Sequence, residues 1–131
     1  MVTAMPNDYF SAFEKHEYMN LVTFRKSGAA VNTPVWFVKE ATRLVMYTMP
    51  ITGKFKRIRN NPRVTVAPSD GRGNPLGGAI EGYARIIEGQ EAERAERSMQ
   101  RKYGLMYKVM GWLTRLRTGN VARVLIEITP P

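Results

Sequence analysis

Short β-forming runs separated by tight turns constrain this chain more than any other feature. Tyr18–Phe24, Ala30–Val38 and Arg43–Thr48 follow one another with only Arg25-Lys26-Ser27-Gly28 or Glu40-Ala41-Thr42 as turn chemistry between them. Parallel strands need a crossover of about a dozen residues or more, usually a helix. These connections are too short for that, so the three runs read as an antiparallel meander. Gly28 suits the positive φ of a tight turn. Pro34 lacks an amide hydrogen, which places it at an edge, a bulge or an opening of the ladder. Arg63–Pro68, Ala79–Ile87 and Val121–Ile128 complete a set of six runs. On Ala79–Ile87, Ile80, Gly82, Ala84 and Ile86 share one face.

The hydrophobic period changes between these runs. Asp8–Glu17 reads as one short helix with Tyr9, Phe10 and Phe13 on one side, suited to plug the end of a barrel. Gly53–Asn60 reads as a short helix, N-capped by Thr52 and stopped by Asn61-Pro62, with Phe55 and Ile58 turned inward. Gln90–Tyr103 reads as a helix with Glu93 and Arg97 placed as an i,i+4 pair. Gly104 interrupts it, and Met106, Val109, Met110, Leu113 and Leu116 then form an apolar stripe at helical spacing. A doubly wound fold needs helices between most strands. The expectation is therefore a mainly β single domain over residues 1–131, a six-stranded antiparallel barrel with flanking helices.

Composition removes several functional classes. The chain is 44% hydrophobic, enough for one core, and it has no cysteine. Disulfides, thiolate zinc sites, iron–sulfur clusters and a cysteine nucleophile are excluded. His16 is the single histidine, which leaves no His-rich metal site and makes a Ser-His-Asp triad a poor fit. It reads as an exposed or capping residue ahead of a haem ligand. Met1–Phe13 lacks the basic start and apolar run of a signal peptide, and no uncharged apolar stretch is long enough to span a bilayer. The expected setting is the cytoplasm. Lys and Arg number 20 against 11 Asp and Glu, a formal charge of +9. Such a surface points to an anionic partner.

The segment richest in chemistry is Thr48-Met49-Pro50-Ile51-Thr52-Gly53-Lys54, where a strand ends and a helix opens. The first amides of a helix lack internal partners and lie at the positive end of its dipole, so they favour phosphate. Thr52 adds a hydroxyl, Gly53 lets backbone come close and Lys54 adds charge. Arg57, one turn on, lies on roughly the same side as Lys54. A capped surface helix with solvated cations is the plain alternative.

Ala30–Val38, then Leu44-Val45-Met46-Tyr47-Thr48, Thr52-Gly53-Lys54 and Arg59-Asn60-Asn61-Pro62-Arg63-Val64-Thr65-Val66 resemble the pyridoxamine 5′-phosphate oxidase-like split-barrel superfamily. More narrowly, they look like its flavin and deazaflavin (coenzyme F420) dependent oxidoreductases. The likeness covers Leu21–Ile87 and the closing Arg123–Ile128. The resemblance implies a split barrel that forms a homodimer, with FMN or F420 bound at the subunit interface. The cofactor phosphate would sit against Thr48, Thr52, Gly53 and Lys54, and the ring along Asn32, Thr33, Pro34 and Val35 with Tyr47 nearby. The anionic tail of F420 would suit Arg57, Arg59, Arg63 or Arg72. Asn32 and Gly53 stand where the pyridoxamine phosphate oxidases proper carry arginines, so the expected activity is hydride transfer to or from another small molecule.

Two other readings belong to different classes. One is a basic nucleic-acid-binding barrel, and its weakness is that cations and aromatics are not interleaved on one strand face. The other is a non-catalytic cofactor-binding protein on the same fold. Trp36 and Trp112 read as core or dimer-interface residues before ring-stacking ones. The Met106–Leu116 stripe is expected to pack on the barrel or a partner subunit, with peripheral contact to an acidic membrane as the alternative.

Overall fold

The computed structural model describes residues 8–48, 52–118 and 123–131. Seven strands form one antiparallel sheet: β1 (Tyr18–Phe24), β2 (Ala30–Trp36), β3 (Val38–Glu40), β4 (Arg43–Thr48), β5 (Arg63–Ser69), β6 (Ile80–Ile87) and β7 (Val124–Thr129). Among the described residues three α-helices accompany them, α1 (Gly53–Asn60), α2 (Gly89–Tyr103) and α3 (Leu105–Thr118). The spatial order is β2-β1-β5-β6-β7-β4-β3. The sheet curls until β2 approaches β4, but no ladder joins those two strands. The barrel is thus split along a β2–β4 seam. Gly28 takes the expected positive φ, at 92°, in the β1–β2 turn.

Strand alternation fills the interior. Met19 and Leu21 of β1, Leu44 and Met46 of β4, Val64 and Val66 of β5, and Ile126 and Ile128 of β7 are all buried in one cluster. Gly82 is required where β6 meets β7, because a Cβ there would lie 2.8 Å from Ile128 Cγ2 and 3.1 Å from the Thr129 carbonyl. Phe10 and Phe13 close one end, and Phe13 meets Phe37 edge to face with ring centroids 5.8 Å apart. The helix expected over residues 8–17 is only a 3-10 turn at Ser11–Phe13. Edge-to-face contacts set the direction of those rings, and the backbone follows them in place of a helical repeat.

The expected second strand breaks in two, which makes seven strands where six were expected. Phe37, fully buried, separates β2 from β3. Its backbone groups are satisfied by side chains from the end of α2. Phe37 N–H donates to the Tyr103 hydroxyl at 3.0 Å, and Lys102 Nζ donates to the Phe37 carbonyl at 2.8 Å and to the His16 carbonyl at 2.6 Å. The Lys102 ammonium also lies 4.1 Å from the Phe37 ring centre. Burial pushes that ammonium down to about 8. Tyr103 in turn stacks on Trp36, with centroids 4.6 Å apart and planes 12° from parallel.

α2 covers the outside of the barrel, where Ala95 packs on Val45, Ile87 and Leu125. An ionic cluster ties it down. Arg43 Nη1 lies 2.6 Å from Glu127 Oε2, and Arg85 Nε lies 3.0 Å from Glu127 Oε1. Glu40 accepts from Arg43 and from the Ser98 hydroxyl of α2. Burial alone would push both carboxyls up. Their hydrogen bonds, from Ser98 and Arg43 to Glu40 and from Arg43 and Arg85 to Glu127, outweigh it and hold both below the ordinary value.

The α3 stripe does not pack on the barrel, which leaves a partner subunit or a membrane among the expected seats. The buried contact of α3 is made by Tyr107 and Gly111, while Met106, Val109, Leu113 and Leu116 face solvent and Met110, partly exposed, borders the β2–β4 seam. The Arg123 guanidinium occupies the seat beneath the helix, 4.6 Å from the Tyr107 ring, and a Cβ on Gly111 would collide with it. A planar cation over an aromatic ring thus replaces the apolar stripe as the docking contact.

Tyr103→Phe is expected to lower the unfolding free energy by about 1–3 kcal/mol in urea titration, because it strands the buried Phe37 amide. The two glutamates predict an acid limit. Their folded values lie below the ordinary 4.5, so their contribution is complete above that pH and is lost as the pH falls through the folded values. The melting temperature should drop below about pH 4.5, and Glu127→Gln should flatten that slope.

Candidate functional site

The β2–β4 seam opens into a cavity of about 320 Å³. Tyr18 of β1, Pro34, Val35 and Trp36 of β2, and Tyr47 and Thr48 of β4 form most of its wall. Thr52 and Lys54 enter from the start of α1, and Met110 from α3. This volume lies at the lower end of the range for small-molecule sites.

Local structure sets each group. Proline is tolerated in β2 because β2 is an edge strand. Pro34 and Trp36, two residues apart, share a face, and Tyr18 is the register partner of Trp36. The Tyr103 stack covers one side of the Trp36 ring. Tyr47 meets Tyr107 edge-on at 5.5 Å, with the Arg123 guanidinium 4.9 Å from its ring centre. Burial, with a further push from Glu96 and against the pull of Arg123, raises the Tyr47 phenol above its ordinary value. The hydroxyl therefore stays protonated at neutral pH and can donate.

The other end of the cavity is polar. Thr52 caps α1, its hydroxyl accepting from Phe55 N–H at 3.3 Å. Thr48 Oγ1, almost fully buried, lies 2.8 Å from Thr52 Oγ1. Lys54 is half-buried, and no hydrogen bond or ion pair joins it to another described residue. Burial first, and then the charge of Arg57, pushes its ammonium below the ordinary value. Arg57 is fixed by a 2.6 Å hydrogen bond from Nε to the buried Thr23 hydroxyl. Its Nη1 lies 2.7 Å from where a Cβ on Gly53 would sit. Gly53 thus leaves room for a guanidinium carried one helical turn later. Two cations, two hydroxyls and the open end of a helix make a region suited to a dianionic group.

Of the residues singled out in the sequence, Pro34, Val35, Tyr47, Thr48, Thr52 and Lys54 come together on this wall. Asn32, Thr33, Gly53 and Arg57 are not on it. Asn32 lines a separate hollow with Asn20 and Thr65. Thr33 pairs with Leu21 and lies on the same side of β2 as the buried Val35. Gly53 and Arg57 stand just behind Lys54 along α1. Met49, Pro50 and Ile51 lie outside the described residues. Arg72 is exposed and not on the wall, and His16 contributes its carbonyl to Lys102 away from the cavity. The wall also includes Tyr18 and Met110, which no sequence motif marks, and Trp36, whose sequence reading is core or interface. The available signal for Tyr18 and Trp36 was their shared register with the Pro34 edge. Met110 carried none beyond its place in the stripe.

With the site assembled, comparison with known proteins becomes informative. The sequence profile of the family described as Pyridoxamine 5′-phosphate oxidase matches residues 5–131. The chain belongs to that family. No match is found among curated proteins. A conserved hypothetical protein from Mycobacterium tuberculosis is 22% identical with a TM-score of 0.68, and the match covers 99% of this chain and 82% of that one. The F420-H2 dependent reductase FDR-A is 19% identical with a TM-score of 0.61, covering 85% and 93% of the two chains. HutZ, a heme storage protein of Vibrio cholerae, is 13% identical with a TM-score of 0.69, covering 98% and 92%. At these identities the likeness is one of fold. The pyridoxamine 5′-phosphate oxidase family scaffold supplies the barrel, and the chemistry of the site lies with this chain's own residues.

Lys54 yields a stability test. A half-buried cation beside a like charge opposes folding, so Lys54→Met should raise the urea midpoint in phosphate-free buffer. A lysine with a purely structural role would lower it.

Proposed function

We propose that this protein is an FMN- or F420-dependent oxidoreductase that acts as a homodimer on a small-molecule substrate. The observation that carries this reading is the Lys54 ammonium, held partly out of water beside Arg57 without a described anionic partner, at one end of a cavity whose other end is aromatic. A group with a phosphate at one end and a flat ring at the other fits that polarity. Lys54, the Thr52 hydroxyl and the first amides of α1 would hold the phosphate. Pro34 and Trp36 along the edge strand would line the ring, with the protonated Tyr47 as a hydroxyl donor. The bound ring supplies the hydride chemistry. The chain's part is to bind, orient and shield it.

Two further observations support the proposal. Arg57 brings a guanidinium beside Gly53, so the cationic strength of the phosphate end is kept although the arginine of the pyridoxamine phosphate oxidases proper is replaced. The cavity is open and modest in volume, so one chain leaves a tricyclic ring partly uncovered, and a second copy would supply the remaining wall.

Titration of the purified protein with FMN and with F420, followed by cofactor fluorescence, tests the proposal. Binding of one of them well below millimolar at moderate salt is expected. Lys54→Ala should weaken it by about 1.5–3 kcal/mol, the range for a charged hydrogen bond. Affinity should also fall as the pH rises through the lowered Lys54 value, because the anion binds the protonated form. Failure of both cofactors to bind rejects the reading. Tight binding with no turnover across a substrate panel reassigns the protein as a carrier.

A further inference from the structure

α3 presents one side to solvent without a polar residue on it. Leu105 is 75% exposed, Leu116 65% and Trp112 56%, with Met106, Val109 and Leu113 beside them. At 3.6 residues per turn these six cover about a third of the helix circumference. Contiguous exposed apolar surface of this kind marks an interaction site. The helix contains no acidic residue. Lys108 and Arg115 lie together along one border of the apolar side, and both are exposed.

A second, separate feature adjoins that border. Arg97, Gln100 and Arg101 of α2, with Gly104, Leu105 and Lys108, line a groove of about 430 Å³. Three cations and no carboxylate form it. Arg101 is steadied by a 3.0 Å hydrogen bond to the Ser98 hydroxyl. The nearby Glu96 is already engaged by the Tyr107 hydroxyl and Arg123. Leu105 belongs to both the groove and the apolar side, so an anionic group held in the groove would have apolar surface directly next to it.

We propose that α3 docks flat on an anionic phospholipid bilayer, with Arg97, Arg101 and Lys108 at the headgroup phosphates and Trp112, Leu113 and Leu116 in the acyl boundary. An interfacial helix combines these features: an apolar side with tryptophan and leucine, cations at its border and no need to span. Among the described residues no helix is long and apolar enough to cross a membrane. The overall +9 charge draws the chain to a negative surface. A second copy is the weaker occupant. A two-fold contact through α3 would bring the same cationic border from both chains together, with no acidic residue on α3 to offset it. The inference does not depend on which cofactor the cavity takes.

Vesicle sedimentation of the full chain tests it, with phosphatidylcholine vesicles containing about a third phosphatidylglycerol at about 0.1 M salt. The protein should sediment with these vesicles and stay in solution with pure phosphatidylcholine. Its tryptophan emission should shift to the blue on binding, and the shift should vanish in Trp112→Phe. Arg97→Ser and Lys108→Ser should each weaken binding about fivefold. Leu113→Gln with Leu116→Gln should abolish it while the melting curve stays unchanged, since both side chains are exposed. Absence of sedimentation overturns the proposal. Binding that survives the double leucine change also overturns it, because charge alone would then suffice. So does lipid-free self-association that shields Trp112 from an aqueous quencher, which would assign the face to a second copy.

Discussion

The peptide of Phe37 is the point on which the rest of the structure turns. A buried amide and carbonyl must find partners, and here the side chains at the end of α2 supply them. Because the Tyr103 hydroxyl and the Lys102 ammonium satisfy Phe37, the strand can leave the ladder there and restart as β3. That break frees the end of β2 to form one lip of the seam. The same two side chains reach back to the carbonyls of Glu17 and His16, so they also anchor the start of β1. One small polar cluster thus joins the aromatic plug, the edge strand and the outer helix.

The site inherits its geometry from that cluster. Trp36 stands on the wall because Tyr103 stacks behind it, and Tyr18 joins it through β1–β2 register. Across the seam, β4 carries Tyr47 and Thr48, and the chain re-enters as α1 with Thr52 at its cap. The result is polarised: rings at one end, hydroxyls and cations at the other. The Lys54 ammonium is the strained element, partly desolvated and beside another positive charge. Such an arrangement opposes folding slightly, and the proposed capture of an anion would offset that cost.

Charge placement separates the two faces of interest. Around the outer face several carboxylates are engaged internally: Glu40 of β3 and Glu127 of β7 by Arg43, and Glu96 of α2 by Arg123 and Tyr107. Among the described cations that no ion pair engages, one set lies on α1 and another along the α2–α3 groove. Net positive charge alone fits nucleic acid, a bilayer or a phosphorylated small molecule equally well. Their distribution, one pair beside an aromatic cavity and one group beside an exposed apolar helix, is what gives each a separate meaning.

Much of this was legible in the amino-acid order. The antiparallel meander followed from turn lengths, the edge position of β2 from Pro34, the Thr52 cap and the inward Phe55 and Ile58 from local pattern, and the break at Gly104 from its lack of a side chain. These are properties of neighbours in sequence, where period and capping act within a few residues. The split of the second strand at Phe37, the seating of α3 through Tyr107 and Arg123 and the displacement of Asn32 and Thr33 from the cavity wall were not. Each depends on a partner 65 or 66 residues away, as with Lys102 and Tyr103, on Arg123 filling the seat under α3, or on which side of β2 the barrel closes. The strand set, the barrel and the lysine-led helix start follow from the order of residues alone. Which residues share the cavity and which apolar face stays bare depends on the folded arrangement, because distant side chains compete for the same buried backbone groups and the same space.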